Sequence, residues 1–187
     1  VRWARELGSD NYNLPAYWGM DAKAQRWKYY RLATLSHSVP ILDDRNQDVL
    51  AVAKVAAFRA DPAGGGLAVI DLGTAYKPQA AAARRGVRMI QGRTVLVQDE
   101  LELNTPCQAA WAMTTEAKIN LAPSPSGASA PGPAATLSLD GRKLEARILS
   151  PAGAAFTAES AEQKPPEADN KGVSRLLVRL KQPKGPV

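Results

Sequence analysis

Hydrophobic and polar positions alternate along most of this chain with a period of two, the spacing of a strand with one face buried. Residues 48–58 (DVLAVAKVAAF) alternate loosely and are rich in Val, and 67–72 (LAVIDL) form a short apolar run. Residues 85–91 (RGVRMIQ) and 93–99 (RTVLVQD) alternate on either side of Gly92 and predict a hairpin. Residues 108–114 (QAAWAMT) and 117–121 (AKINL) predict a second pair. Residues 135–139 (ATLSL) and 142–149 (RKLEARIL) flank Asp140-Gly141, a two-residue signal for a tight turn with positive φ at both positions. Residues 173–180 (VSRLLVRL) predict the last strand. Short strands with a turn signal about every ten residues predict an all-β fold, an antiparallel β-sandwich with little helix. The Ala run at 80–83 has helical propensity, but it is short and follows Pro78, so a loop or single turn is expected there. No glycine-rich phosphate loop and no βαβ alternation is present.

Two segments lack the apolar residues needed to bury themselves. Residues 122–134 (APSPSGASAPGPA) and 159–172 (ESAEQKPPEADNKG) are expected to be flexible loops, and the tail after Lys181 is expected to fray. Residues 1–37 are different in kind. They hold three of the four Trp, four of the five Tyr and the only His. Such rings pack cores and interfaces, and they also stack on sugars; both readings stay open for this opening segment.

Composition narrows the picture. The 187 residues fit a single domain, 1–187, with 45% hydrophobic and 22% charged residues, which excludes a largely disordered chain. The first residue is Val, with no leader pattern after it, so the chain is expected to be a soluble piece of something longer. No apolar run reaches the roughly 18 residues of a membrane span. Cys107 stands alone, which excludes an intrachain disulfide and favours a small buried hydrophobe over a nucleophile. A net charge of +6 favours polyanionic partners. Charge leaves nucleic acid, anionic membrane and acidic polysaccharide open, but the basic residues are scattered and not interleaved with aromatics, so a solvated surface is favoured over nucleic-acid binding and no nucleic acid is expected.

An ordered series of motifs resembles the heparinase II/III-like polysaccharide lyases. Val1-Arg2-Trp3 through Asn13-Leu14-Pro15 resembles that family's approach to its β-sandwich. Arg26-Trp27-Lys28-Tyr29-Tyr30-Arg31-Leu32, followed by Ser36-His37-Ser38, is similar to its aromatic-Arg segment and His motif. Asp71-Leu72-Gly73-Thr74-Ala75-Tyr76, Arg88-Met89-Ile90, Val95–Asp99 and the hairpin around Asp140-Gly141 resemble later strands, with Leu149–Ala154 after them. The series covers nearly the whole chain, and its specificity lies in the order of the motifs.

The resemblance implies a supersandwich-like C-terminal domain, its aromatic opening segment facing a missing N-terminal α/α toroid. It implies a periplasmic or secreted parent that cleaves uronate-containing glycans, such as heparin, heparan sulfate or alginate, by β-elimination. The family's main catalytic residues lie on the toroid, so none is assignable here and the chain alone is expected to be inactive. Tyr12, Tyr30, Arg31 and His37 are the substrate-binding candidates. Family members with a known metal bind zinc through two His and an acidic residue. By resemblance Glu6 takes the acidic position and His37 the later His, with a further His about 18 positions before Glu6, outside this chain. Glu6 and His37 are therefore expected to converge, with no cofactor held by the chain alone. The sequence departs from the family at Glu6, where Asp is usual, and at Thr114, where many relatives carry His. Trp111 and Met113 on the same strand are expected to pack in the core. A non-catalytic glycan-binding or scaffolding sandwich is the alternative, since a fold does not fix a function.

Overall fold

The alternating runs become strands, and the computed structural model describes residues 1–77, 79–124, 131–182 and 185–186. In chain order the strands are β1 (Ile41–Leu42), β2 (Lys54–Asp61), β3 (Gly65–Asp71), β4 (Ala80–Ile90), β5 (Thr94–Leu103), β6 (Cys107–Thr115), β7 (Lys118–Pro123), β8 (Pro131–Leu139), β9 (Arg142–Arg147), β10 (Phe156–Ser160), β11 (Ser174–Gln182) and β12 (Gly185–Pro186). Helix among the described residues is limited to four 3-10 turns of three or four residues, three of them between Gln25 and Ser36. The fold is all-β, with three sheets ordered β1-β6-β11-β10, β12-β5-β4-β3-β2 and β7-β8-β9. No helix among the described residues is long and apolar enough to cross a membrane.

The chain divides into two compact units. The first comprises Val1–Asn46 and Gln108–Leu180, the second Gln47–Cys107 and Lys181–Val187. In the first unit the three-stranded and four-stranded sheets face each other as a sandwich. Leu137 of β8, Phe156 of β10, and Leu176 and Val178 of β11 form its core. Trp111 and Met113 pack against that cluster, as their apolar positions predicted.

The second unit is a five-stranded antiparallel sheet. The row Phe58–Ala68–Val87–Val97 runs across β2 to β5 on one face, and the row Arg59–Leu67–Arg88–Leu96 on the other. On the first face the Arg85 guanidinium meets the Asp99 carboxylate through two bonds of 2.7 Å.

Turn chemistry explains the hairpins. Asp140 and Gly141 adopt φ of 50° and 71°, and Leu139 pairs with Arg142, the two-residue turn the sequence signals. Gln91 and Gly92 likewise take positive φ between β4 and β5.

Several expectations are corrected. The Ala run is no loop: Ala80 pairs with Leu103 and Ala83 with Leu101, all four buried, so tertiary pairing overrides helical propensity. Residues 48–53 lie outside β2. The runs 108–114 and 117–121 do not pair with each other. β6 and β7 belong to different sheets, and the Ala117 N–H bonds the Thr115 hydroxyl where the chain turns between them.

The 122–134 segment ends in strand on both sides, at β7 and β8, while residues 125–130 lie outside the described residues. Residues 183, 184 and 187 of the expected frayed tail also lie outside them. The 159–172 segment begins in β10 and is then tied down: the Gln163 N–H bonds the Asp169 carbonyl, and Asn170 is buried. Asn170 takes φ of 51°, a conformation Asn tolerates, and its side-chain amide donates to the Ala161 carbonyl.

Candidate functional site

A single residue near the end of β6 draws two distant segments together. Thr114 is fully buried, and its carbonyl accepts the Arg5 N–H at 2.7 Å. Its own N–H donates to the Ser38 hydroxyl at 3.2 Å, and its hydroxyl donates to the Ser36 carbonyl at 2.7 Å. The Arg5 guanidinium lies 3.4 Å from the Glu116 carboxylate. Strand β6 therefore fixes the chain at Arg5 and on both sides of His37.

The consequence is a contact between two side chains 31 residues apart. His37 Nδ1 lies 2.9 Å from Glu6 Oε2. The Glu6 Oε1 atom accepts the Gly8 N–H at 3.3 Å. The pair sits at the surface, with side chains 32% and 62% exposed for His37 and Glu6. A carboxylate accepts only, so the geometry assigns the proton of a neutral imidazole to Nδ1. That leaves the Nε2 lone pair able to accept a proton or to ligate a metal.

The donor set fits part of a zinc site. Two ligands of one tetrahedral zinc lie about 3.3 Å apart, whereas 2.9 Å is a hydrogen-bond distance. A bound zinc would take both atoms only without the shared proton; otherwise Glu6 would orient the ring and Nε2 alone would ligate. Among the described residues no group of three or more His, Cys, Asp or Glu could hold a metal. The pair thus supplies at most two of the four ligands a structural zinc takes.

The other candidates fall out differently. Tyr12 is exposed and tilts against the exposed Trp18, ring centroids 5.2 Å apart. The Tyr30 hydroxyl is buried without a hydrogen-bond partner among the described residues. Burial pushes its pKa up, and the nearby Arg175 pulls partly the other way, so the phenol stays neutral. Arg31 is committed to structure: its Nε donates to Asn170 Oδ1 at 2.7 Å and its Nη1 to the Ser9 carbonyl at 3.0 Å.

The aromatic segment divides between the two roles left open for it. Tyr17 and Tyr29 are buried with Leu14, and Arg26 lies over the rings of Tyr17 and Trp27. Tyr12 and Trp18 remain at the surface. Cys107 is half-buried at the start of β6.

Sequence reasoning passed over Thr114 as a positioning residue, treating it only as a missing His. The legible signal was a polar pair, Thr114-Thr115, closing an apolar strand. Thr114→Val keeps the shape and removes one buried donor, which leaves the Ser36 carbonyl unpaired. A loss of about 1–3 kcal/mol in urea unfolding is expected, with a changed His37 ring shift in NMR. An unaltered His37 resonance would show that the hydroxyl does not position the ring.

No family model and no curated protein matches the sequence. Solved structures match the fold. Heparan sulfate lyase HepC from Pedobacter heparinus superposes with a TM-score of 0.65 at 14% identity, over 90% of this chain and 25% of that one. A mutant of the same lyase gives 0.63 at 14% identity, over 84% and 24%. A heparinase III gene product with methylated lysines gives 0.63 at 14% identity, over 90% and 26%. The chain spans about a quarter of the length of these proteins. The chain therefore has the fold of the matching quarter of heparan sulfate lyase HepC and heparinase III.

Proposed function

We propose that this chain is the C-terminal β-sandwich domain of a periplasmic or secreted lyase that cleaves uronate-containing acidic glycans by β-elimination. The observation that carries the reading is the Glu6–His37 pair, held at the surface with Nε2 free, in a fold like that of heparan sulfate lyase. In this reaction a base takes the C5 proton of the uronate. The electron pair forms the C4–C5 double bond, the C4–O bond breaks, and an acid protonates the leaving oxygen. The transition state carries enolate charge on the carboxylate and needs fixed donors or cations beside it.

The toroid would supply most of that set, and this chain one wall of the cleft. Tyr12 and Trp18 offer sugar-stacking surface. His37, with Glu6, would hold zinc together with ligands from outside the 187 residues. Bound zinc would supply fixed positive charge at that wall. Heparin, heparan sulfate and alginate are the glycans to try. A non-catalytic glycan-binding sandwich is the second reading, favoured by the exposed Tyr12–Trp18 pair.

Ultraviolet absorbance of the unsaturated product separates the two. The full-length protein is expected to generate it from at least one uronate glycan, and the 187-residue chain alone to bind glycan without turnover. Binding without product by the full-length protein would leave the non-catalytic reading. Turnover by the chain alone would show that it carries its own acid and base.

A further inference from the structure

The second unit carries two exposed arginines that form no ion pair among the described residues. Strand alternation and register place Arg59 of β2, Leu67 of β3, Arg88 of β4 and Leu96 of β5 in one row on one face. Arg59 and Arg88 are exposed and make no ion pair among the described residues. Other arginines of these strands have acidic residues opposite them in the register. Arg84 stands between Asp71 and Glu100 in the register, and Arg85 is paired with Asp99.

Leu67 and Ile90 lie beside the two arginines in an open concavity of about 390 Å³. Asp61 is the one acidic residue lining it, and its Oδ1 accepts the Ala63 N–H. Neighbouring strands are 4.7–4.9 Å apart, so the α-carbons of Arg59 and Arg88, two strands apart, are separated by about 10 Å.

We infer that this concavity is an auxiliary binding site for a sulfated or carboxylated glycan, gripped by Arg59 and Arg88. The inference rests on the acidic-glycan reading above and extends it to the other unit. Guanidinium groups bond sulfate and carboxylate through paired N–H donors. The separation of about 10 Å between the two α-carbons is on the scale of a disaccharide, which suits a polymer with an acidic group on every second sugar. Leu67 and Ile90 present an apolar floor to the C–H face of the intervening ring. No aromatic ring lines the concavity, so the stacking platform of a single-stranded nucleic-acid site is missing. A second grip on the same polymer raises the effective concentration of substrate near a catalytic cleft.

The test is fluorescence anisotropy of a labelled sulfated uronate oligosaccharide with the 187-residue chain. Arg59→Glu/Arg88→Glu is compared with Arg142→Glu/Lys143→Glu on β9, which changes the net charge equally. The concavity variant is expected to bind on the order of tenfold more weakly, with a shallower salt dependence, and the β9 variant to stay near wild type. Arg59→Gln/Arg88→Gln, which avoids charge reversal beside Asp61, is expected to show a smaller loss in the same direction. Equal losses in the concavity and β9 variants, no loss in the concavity variant, or no binding by wild type would overturn the site. So would competition by duplex DNA at equal charge. No binding by wild type would also count against the expectation that the chain alone binds glycan, whereas the other outcomes leave the lyase reading to the product assay.

Discussion

Replacing His37 with alanine in the full-length protein is expected to release its zinc and to lower turnover of its uronate glycan by on the order of 10- to 100-fold, because the fixed positive charge at that wall of the cleft leaves with the metal. The chain should still fold, because the His37 and Glu6 side chains are both partly exposed and neither belongs to a core cluster. Glu6→Gln separates the two ways the pair can act. If Glu6 only orients the ring, a neutral amide still accepts from Nδ1 and much of the activity survives. If Glu6 ligates zinc, losing its anionic oxygen releases the metal, which zinc analysis of the purified protein detects. Wild-type turnover together with unchanged zinc content in His37→Ala would reduce the pair to a surface ion pair, the kind worth little to stability.

Asp99→Ala is expected to cost about 3–5 kcal/mol in the stability of the second unit. Arg85 Nε and Nη2 bond the two Asp99 oxygens at 2.7 Å each, and the side chains are only 12% and 13% exposed. The two residues stand directly opposite each other on β4 and β5. Deleting the carboxylate removes both of these bonds and the facing negative charge from a nearly buried guanidinium. Replacing both residues with leucine should recover much of the loss, since an apolar pair of similar volume has no charge to desolvate. Urea unfolding followed by hydrogen exchange on β4 and β5 measures it. A loss under about 1 kcal/mol would mean that water reaches the guanidinium once the carboxylate is gone.

What the sequence made legible is local. Strand periodicity and the Asp140-Gly141 turn act within a few residues, through pleat geometry and the φ each residue tolerates, so the all-β class and the hairpins could be read directly. The ordered motifs also marked Glu6 and His37, though nothing local showed that they touch.

What depended on partners distant in sequence stayed hidden. Ala80 and Ala83 are strand because Leu103 and Leu101 lie across from them. The runs 108–114 and 117–121 look like a hairpin in one dimension, yet they join two layers of a sandwich. Strand β1 is two residues long, too short for any period, and exists because Ala109 and Ala110 pair with it. The flexible composition of 159–172 gave no sign that the Glu167 carboxylate accepts the Tyr30 N–H or that Asn170 holds Arg31. Alternation, turn chemistry and charge are properties of neighbouring residues and were determined by the sequence itself. Strand partners, the clamp at Thr114, the division into two units and the single row that holds Arg59 and Arg88 were decided only by tertiary structure, because each depends on which residues far apart in the chain share a hydrogen bond or a face.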